Sequence, residues 1–140
     1  MAEKIWEKNV QADQRIEKFT VGRDREMDLC LAKYDVLGSM AHIRMLESVG
    51  LLQADELEVL LIVLKEIYQT IEEGIFVIED DVEDVHSQVE LLLTRKLGDV
   101  GKKIHSGRSR NDQVLVDLKL FARTELMKIT GQVNDLIEAL

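Results

Sequence analysis

Apolar positions recur at threes and fours along most of this chain, and a glycine closes most of the runs. Met27, Leu31, Tyr34, Ala41 and Met45 keep helical spacing from a candidate N-cap at Asp24 as far as Gly50. Leu57, Leu60, Leu61, Leu64, Ile67, Tyr68 and Ile71 form a second stripe, opening near Asp55 and closing at Gly74, a predicted left-handed cap. Val59, Ile62 and Val63 widen this stripe almost round the helix, which predicts packing on more than one neighbour. Residues 75–78 read as a short extended connection. A third helix carries Val82, Val85, Val89, Leu92, Leu93 and Leu97 on its buried side and stops at Gly98. Its acidic lead, Glu79, Asp80, Asp81, Glu83 and Asp84, complements a helix N-terminal dipole. Residues 98–101 read as a hinge-like lead into the last element. That element runs from Asn111 through Val114, Leu118, Phe121, Ala122, Leu126, Ile129, Val133, Leu136 and Leu140, the seam of a bundle helix seeking partners. Gly131 costs it about 1 kcal/mol relative to alanine without ending the seam. No glycine, proline or basic last turn follows, so the pattern predicts a helix that continues. Ahead of Asp24 only Trp6, Ile16 and Phe19 stand as isolated anchors, in what reads as an arm with room for one short helix.

The first of these helices carries a second, polar stripe. Asp28, Asp35 and His42 lie seven residues apart, with Ala32 and Ser39 on the same side. On pattern alone this is a solvated face.

Composition narrows the class. With 140 residues, 46% of them hydrophobic, 4% aromatic and no proline, the chain is one domain's worth of long helices, and an all-α fold is expected. A formal charge of -9 argues against nucleic acid as a partner. The single cysteine, Cys30, between Leu29 and Leu31, reads as a buried thiol in a reducing compartment. No apolar run has signal-peptide length, and the longest, residues 59–64, is far too short to span a bilayer, so a cytoplasmic protein without membrane contact is expected. Glu83 and His86 form an E-x-x-H pair with Glu90 one turn on, but a carboxylate-bridged metal centre needs a second such pair, and the acidic run lacks calcium-loop spacing. No metal or cofactor is expected.

One stretch reverses the charge. After Lys102 and Lys103 come His105, Ser106, Gly107, Arg108, Ser109, Arg110, Asn111 and Asp112, which empty into the start of the last helix. Two guanidinium groups, hydroxyls, an amide and a helix N-terminus suit an anion, best a carboxylate that arginine grips with two donors. Ser109 and Asp112 equally fit a capping box beside solvated arginines, and the residues alone leave both readings open.

Residues 101–114 read GKKIHSGRSRNDQV and are followed by DLKL at 117–120. This resembles the first signature region of argininosuccinate lyase, in the fumarase and aspartase superfamily, and the likeness extends upstream through EDVH at 83–86, DVLGSMAH at 35–42 and Asp28. The resemblance implies an N-terminal helical domain over residues 1–110, with the signature loop at its end, and the first part of a truncated central helical bundle over 111–140. It implies β-elimination of argininosuccinate to arginine and fumarate in arginine biosynthesis, a small-molecule substrate, no cofactor, and a homotetramer whose active sites each draw on three subunits. On matching positions Ser109, Arg110 and Asn111 would hold the fumarate carboxylates, with His105, Ser106 and Arg108 shaping the loop. Asp28, Asp84 and His86 would lie near the substrate or support the site, which turns the polar stripe toward it.

Two positions depart from the family pattern: Asp24 stands where a serine is usual, which removes an expected substrate contact, and Ser106 replaces a threonine. The family's second signature region and the mobile loop that carries its serine base have no counterpart here, so the 140 residues are expected to be catalytically silent alone. The rival readings are another lyase of the superfamily, an inactive crystallin-like relative, or a non-enzymatic helical oligomerisation module built on the long seam.

Overall fold

A computed structural model of the chain describes Phe19 and residues 22–140, and every regular element among them is helical. We label the helices α1 (Asp24–Asp28), α2 (Ala32–Ser48), α3 (Ala54–Glu72), α4 (Val85–Leu97), α5 (Asp99–Lys102) and α6 (Arg110–Ala139), with a single 3-10 turn at Lys103–His105 before α6. The all-α expectation is met over these residues. The expected arm falls mostly outside them, Trp6 and Ile16 included.

α2 and α3 form an antiparallel hairpin, α4 lies against both, and the first half of α6 packs on α2. Val36, Ile43 and Leu46 of α2 meet Leu60 and Leu64 of α3 and Val85, Val89 and Leu93 of α4 in one core, closed at the loop end by Ile104. Each buried leucine or isoleucine contributes roughly 1.5–3 kcal/mol by leaving water. α3 begins where the chain can cap it. Glu56 Oε2 accepts the Gln53 backbone N–H at 3.0 Å, and Glu56 Oε1 pairs with Lys103 at 2.5 Å, fastening α3 to the 3-10 turn. α3 does pack on more than one neighbour, yet Val59 and Ile62 remain exposed.

Several expectations need correction. The first helix is two. After Asp28 three successive i to i+3 bonds, Cys30 to Met27, Leu31 to Asp28 and Ala32 to Leu29, tighten the chain and redirect it. α1 is instead fastened to the approach to α4: Arg25 Nε donates to the Val82 carbonyl at 2.7 Å. Asp24 sits inside α1, behind an N-cap at Arg23, and Cys30 is exposed in the tight turn. The buried face of α2 is also rotated from the expected one. Met45 and Ala41 face out, while Asp35 and Ser39, at 1% and 0% exposure, are interior. The polar stripe is therefore part of the packing surface and not a solvated face.

Residues 98–101 are no hinge. Gly98 turns at φ +60°, and Gly101 lies so close to α4 that an added Cβ would stand 2.5 Å from the Leu93 carbonyl carbon. Only hydrogen fits there. Gly101→Ala should therefore lower stability by about 2–3 kcal/mol in urea unfolding. A loss below about 0.5 kcal/mol would show that α5 does not press on the Leu93 backbone as described.

Candidate active site

The signature loop is held by contacts from two directions. Its end is a helix start: Ser109 is the N-cap of α6 in extended geometry, and its backbone N–H and hydroxyl both donate to Asp112 Oδ2, at 2.9 and 3.1 Å. Those bonds hold the Asp112 carboxyl below its usual range. The signature loop therefore ends in the capping box that the spacing of Ser109 and Asp112 allows. Its middle is held by α2, where a His42 ring nitrogen lies 2.8 Å from the Ser106 carbonyl and Arg108 donates to Ser39 Oγ at 3.0 Å. Burial lowers the pKa of both His42 and Arg108.

The start of α4 meets the start of α6. Asp84 is the N-cap of α4, accepting the Ser87 backbone N–H at 2.8 Å, and Asp28 accepts the Val85 N–H at 3.2 Å. Two of the four unpaired N–H groups at this helix end are so satisfied, one locally and one from α1. Burial raises the Asp28 carboxyl above its ordinary value, and the nearby Asp84 adds to the rise against the Val85 N–H. Arg110 reaches across from α6: one guanidinium nitrogen lies 2.9 Å from Asp84 and 3.5 Å from Glu83, and the other donates to Ser87 Oγ at 2.9 Å. The side chain is half-exposed at 43%, so solutes can approach its remaining donors.

Beneath this rim lies a buried charged joint. Asp35 of α2, His86 of α4 and Asp117 of α6 converge, with His86 Nδ1 2.8 Å from Asp35 Oδ1 and 3.7 Å from Asp117 Oδ2. Gln113 of α6 donates to Asp35 Oδ1 at 3.3 Å. Burial disfavours the charged imidazole, but the Asp35 hydrogen bond, with the surrounding carboxylates, outweighs it and raises the His86 pKa. Burial, then the neighbouring Asp35 carboxylate, push Asp117 up to about 7. The donor atoms of Asp35, His86 and Asp117 lie within 4.8 Å of one another and are of types that a divalent metal accepts.

Of the residues singled out from the sequence, Asp28, Asp84, Arg110 and the buried His86 are thus brought to the paired helix starts. Ser109 and Asn111 stand exposed on the first turn of α6, and Ser106 and Arg108 are fastened to α2. His105 is exposed at the end of the 3-10 turn, with no side-chain hydrogen bond among the described residues. Asp24 is exposed on α1. Ser87 carries no sequence signal, and Gln113 and Asp117 enter the sequence reading only as part of the signature stretch, without a role. Gln113 and Asp117 share one face of α6 at i and i+4 spacing, and a polar pair opposite an apolar seam was the available signal.

This arrangement can grip an anion with Arg110 and free backbone N–H groups, over a base of fixed internal charge. A family described as lyase matches residues 7–140, and the chain belongs to that family. Its similarity to individual members is narrower. It is 71% identical over 140 residues to an argininosuccinate lyase of Phocaeicola vulgatus, covering all of this chain and 31% of that protein. It is 69% identical to an argininosuccinate lyase of Bacteroides thetaiotaomicron, again over the whole chain and 31% of the relative, and 45% identical to one of Thermotoga neapolitana, over the whole chain and 35% of the relative. The chain spans about a third of the length of the curated relatives it matches.

The joint gives stability a sign with pH. Folded Asp117 and His86 hold protons more tightly than their unfolded counterparts, so both favour the folded chain in acid and lose that contribution as pH rises, Asp117 through about 7 and His86 through its raised value. Glu56, Glu79 and Asp112 have lowered values and act oppositely, losing their contribution only as pH falls through the acidic range. Thermal scans should give the highest Tm near about pH 5–6 and a decline towards about pH 8, flattened in Asp117→Asn. A Tm that climbs between about pH 6 and 8 would contradict this assignment.

Proposed function

We propose that this chain supplies one segment of the active site of an argininosuccinate lyase, the carbon–nitrogen lyase that releases fumarate and arginine. The observation that carries the reading is the placement of Arg110. It stands on the first turn of a long helix whose N-terminal dipole is positive, over the start of a second helix, with part of its guanidinium open to solvent. A dicarboxylate half-substrate fits those donors, and the named relatives support this choice among anions.

In this reading Arg110, Ser109 and Asn111 take the carboxylates of the fumarate half. Asp84 and Ser87 aim the arginine, and Arg108, anchored on Ser39, fixes the loop behind it. As the proton next to the carboxylate leaves, negative charge grows on that carboxylate, and donors already aimed there stabilise it without rearrangement. The proton itself is taken by a group outside this segment. His86 is committed to Asp35 and His42 to the Ser106 carbonyl, which leaves both as supports.

Residues 22–110 and 111–140 then act as two parts, a helical domain that ends in the loop and the opening of a bundle helix. Beyond the α2 contact, Leu126, Ile129, Val133 and Leu136 of α6 are each about half or more exposed, a face suited to helices of other subunits in a homotetramer.

In an argininosuccinate-cleaving enzyme that includes this chain, Arg110→Ala should lower kcat/KM by at least about a hundredfold, measured as fumarate release. Near-normal turnover would return Arg110 to a capping and solvation role. The 140 residues alone should release no fumarate from argininosuccinate, and clear turnover would overturn the division of labour.

A further inference from the structure

Asp35 and Asp117 lie beneath the rim and out of solvent, beside the His86 ring. Both are 1% exposed. Towards α4 they meet His86 Nδ1, at 2.8 and 3.7 Å. Towards the loop the half-buried Arg108 guanidinium is held on Ser39 Oγ at 3.0 Å, one turn of α2 from Asp35, and the charges of Asp35 and Asp117 oppose the fall that burial imposes on its pKa. One oxygen of each carboxylate, Oδ2, is buried without a hydrogen-bond partner among the described residues, as are Gln113 Oε1 and Arg108 Nε. Buried charge in this state is tolerated only when opposite charge is fixed nearby. Asp35 meets His86 directly, and Asp117, which burial and Asp35 push up to about 7, adds its negative charge to the same pair of cations once its proton is lost.

We propose that Asp35 and Asp117 are positioning residues for the loop: as shared counter-charge they hold His86 of α4 and Arg108 of the loop at a fixed separation, and so set Arg110 against the start of α4. The inference deepens the reading of the loop as a carboxylate site and rests on it for its purpose. Its geometry is independent of that reading. The charged and polar groups around His86 and Arg108 are Asp35, Ser39 and His42 from α2, Asp84 at the cap of α4 and Glu90 within it, Asp117 from α6, and Asp28 from α1. A metal bound by Asp35, His86 and Asp117 is the competing use of the same atoms. The 2.8 Å approach of Nδ1 to Oδ1 is the length of a hydrogen bond, with a proton where the metal would stand, and His86 and Arg108 already provide two positive charges.

Nitrogen-detected NMR of the 140-residue chain tests this. In the parent chain His86 should titrate above the ordinary imidazole range, and the Arg108 Nε–H should exchange slowly. Asp35→Asn should lower the His86 midpoint by about one pH unit or more and speed Arg108 Nε–H exchange about tenfold, with far-UV helicity retained. Asp117→Asn should do both to a smaller degree and decides the matter if Asp35→Asn does not fold, while Asp117→Glu should restore the slow exchange. Unchanged His86 and Arg108 signals in a folded variant overturn the proposal. So does one equivalent of zinc that replaces the Nδ1 proton, which would make the cluster a metal site. A parent chain whose loop signals ignore added fumarate counts against the carboxylate reading instead, while the His86 and Arg108 measurements stand.

Discussion

Two carboxylates buried in a helical core have to meet positive charge or take up a proton, and that demand fixes where three helices and a loop of this chain can lie. Asp35, His86 and Asp117 come from α2, α4 and α6, and each is removed almost wholly from water. Apolar packing of Val36, Ile43, Leu64, Val89 and Leu93 brings the helices together, but such contacts tolerate sliding. An ion pair at 2.8 Å does not. Loss of one partner would leave the other charged and dry, at a cost of about 3–5 kcal/mol. The joint therefore specifies a register that the leucines and valines around it leave loose.

What lies above the joint follows from it. His86 occupies the first turn of α4, so fixing its ring fixes Asp84 and Ser87, the two groups that aim Arg110. Asp117 lies two turns into α6, so it fixes the direction in which that helix's first N–H groups point. The loop between them is short, turns through Gly107 at φ +70°, and is fastened by His42 and Arg108. A site for an anion made this way has little freedom to adapt. That suits a reaction in which charge grows on a carboxylate already in place.

The long helices, their glycine stops and the cap that opens α6 were legible in the sequence because each is a local property. Gly74 closes α3 in the left-handed region as its position after the stripe implied, and Ser109 with Asp112 caps α6 as their spacing implied. The heptad of Asp28, Asp35 and His42 was visible too, but its pattern alone reads as a solvated face, and only the family resemblance turns it toward the site. Each member is used across space: Asp28 on the Val85 N–H, Asp35 on His86, His42 on the Ser106 carbonyl. Whether a polar face looks at water or at another polar face depends on partners 51 to 64 residues away, which periodicity within one helix cannot report. The same limit hid the break after Asp28, since α1 is turned aside by bonds to Val82 and Val85 and not by a breaking residue of its own.

The most direct measurement of this account is a double-mutant cycle between Asp35 and His86, read by urea unfolding of the single and double alanine variants. If the buried pair fixes the register of α2 on α4, the two losses should fall short of adding by more than about 1 kcal/mol. Losses that add to within about 0.5 kcal/mol would mean the two side chains are stabilised separately, and the joint would not be the constraint on which the site depends.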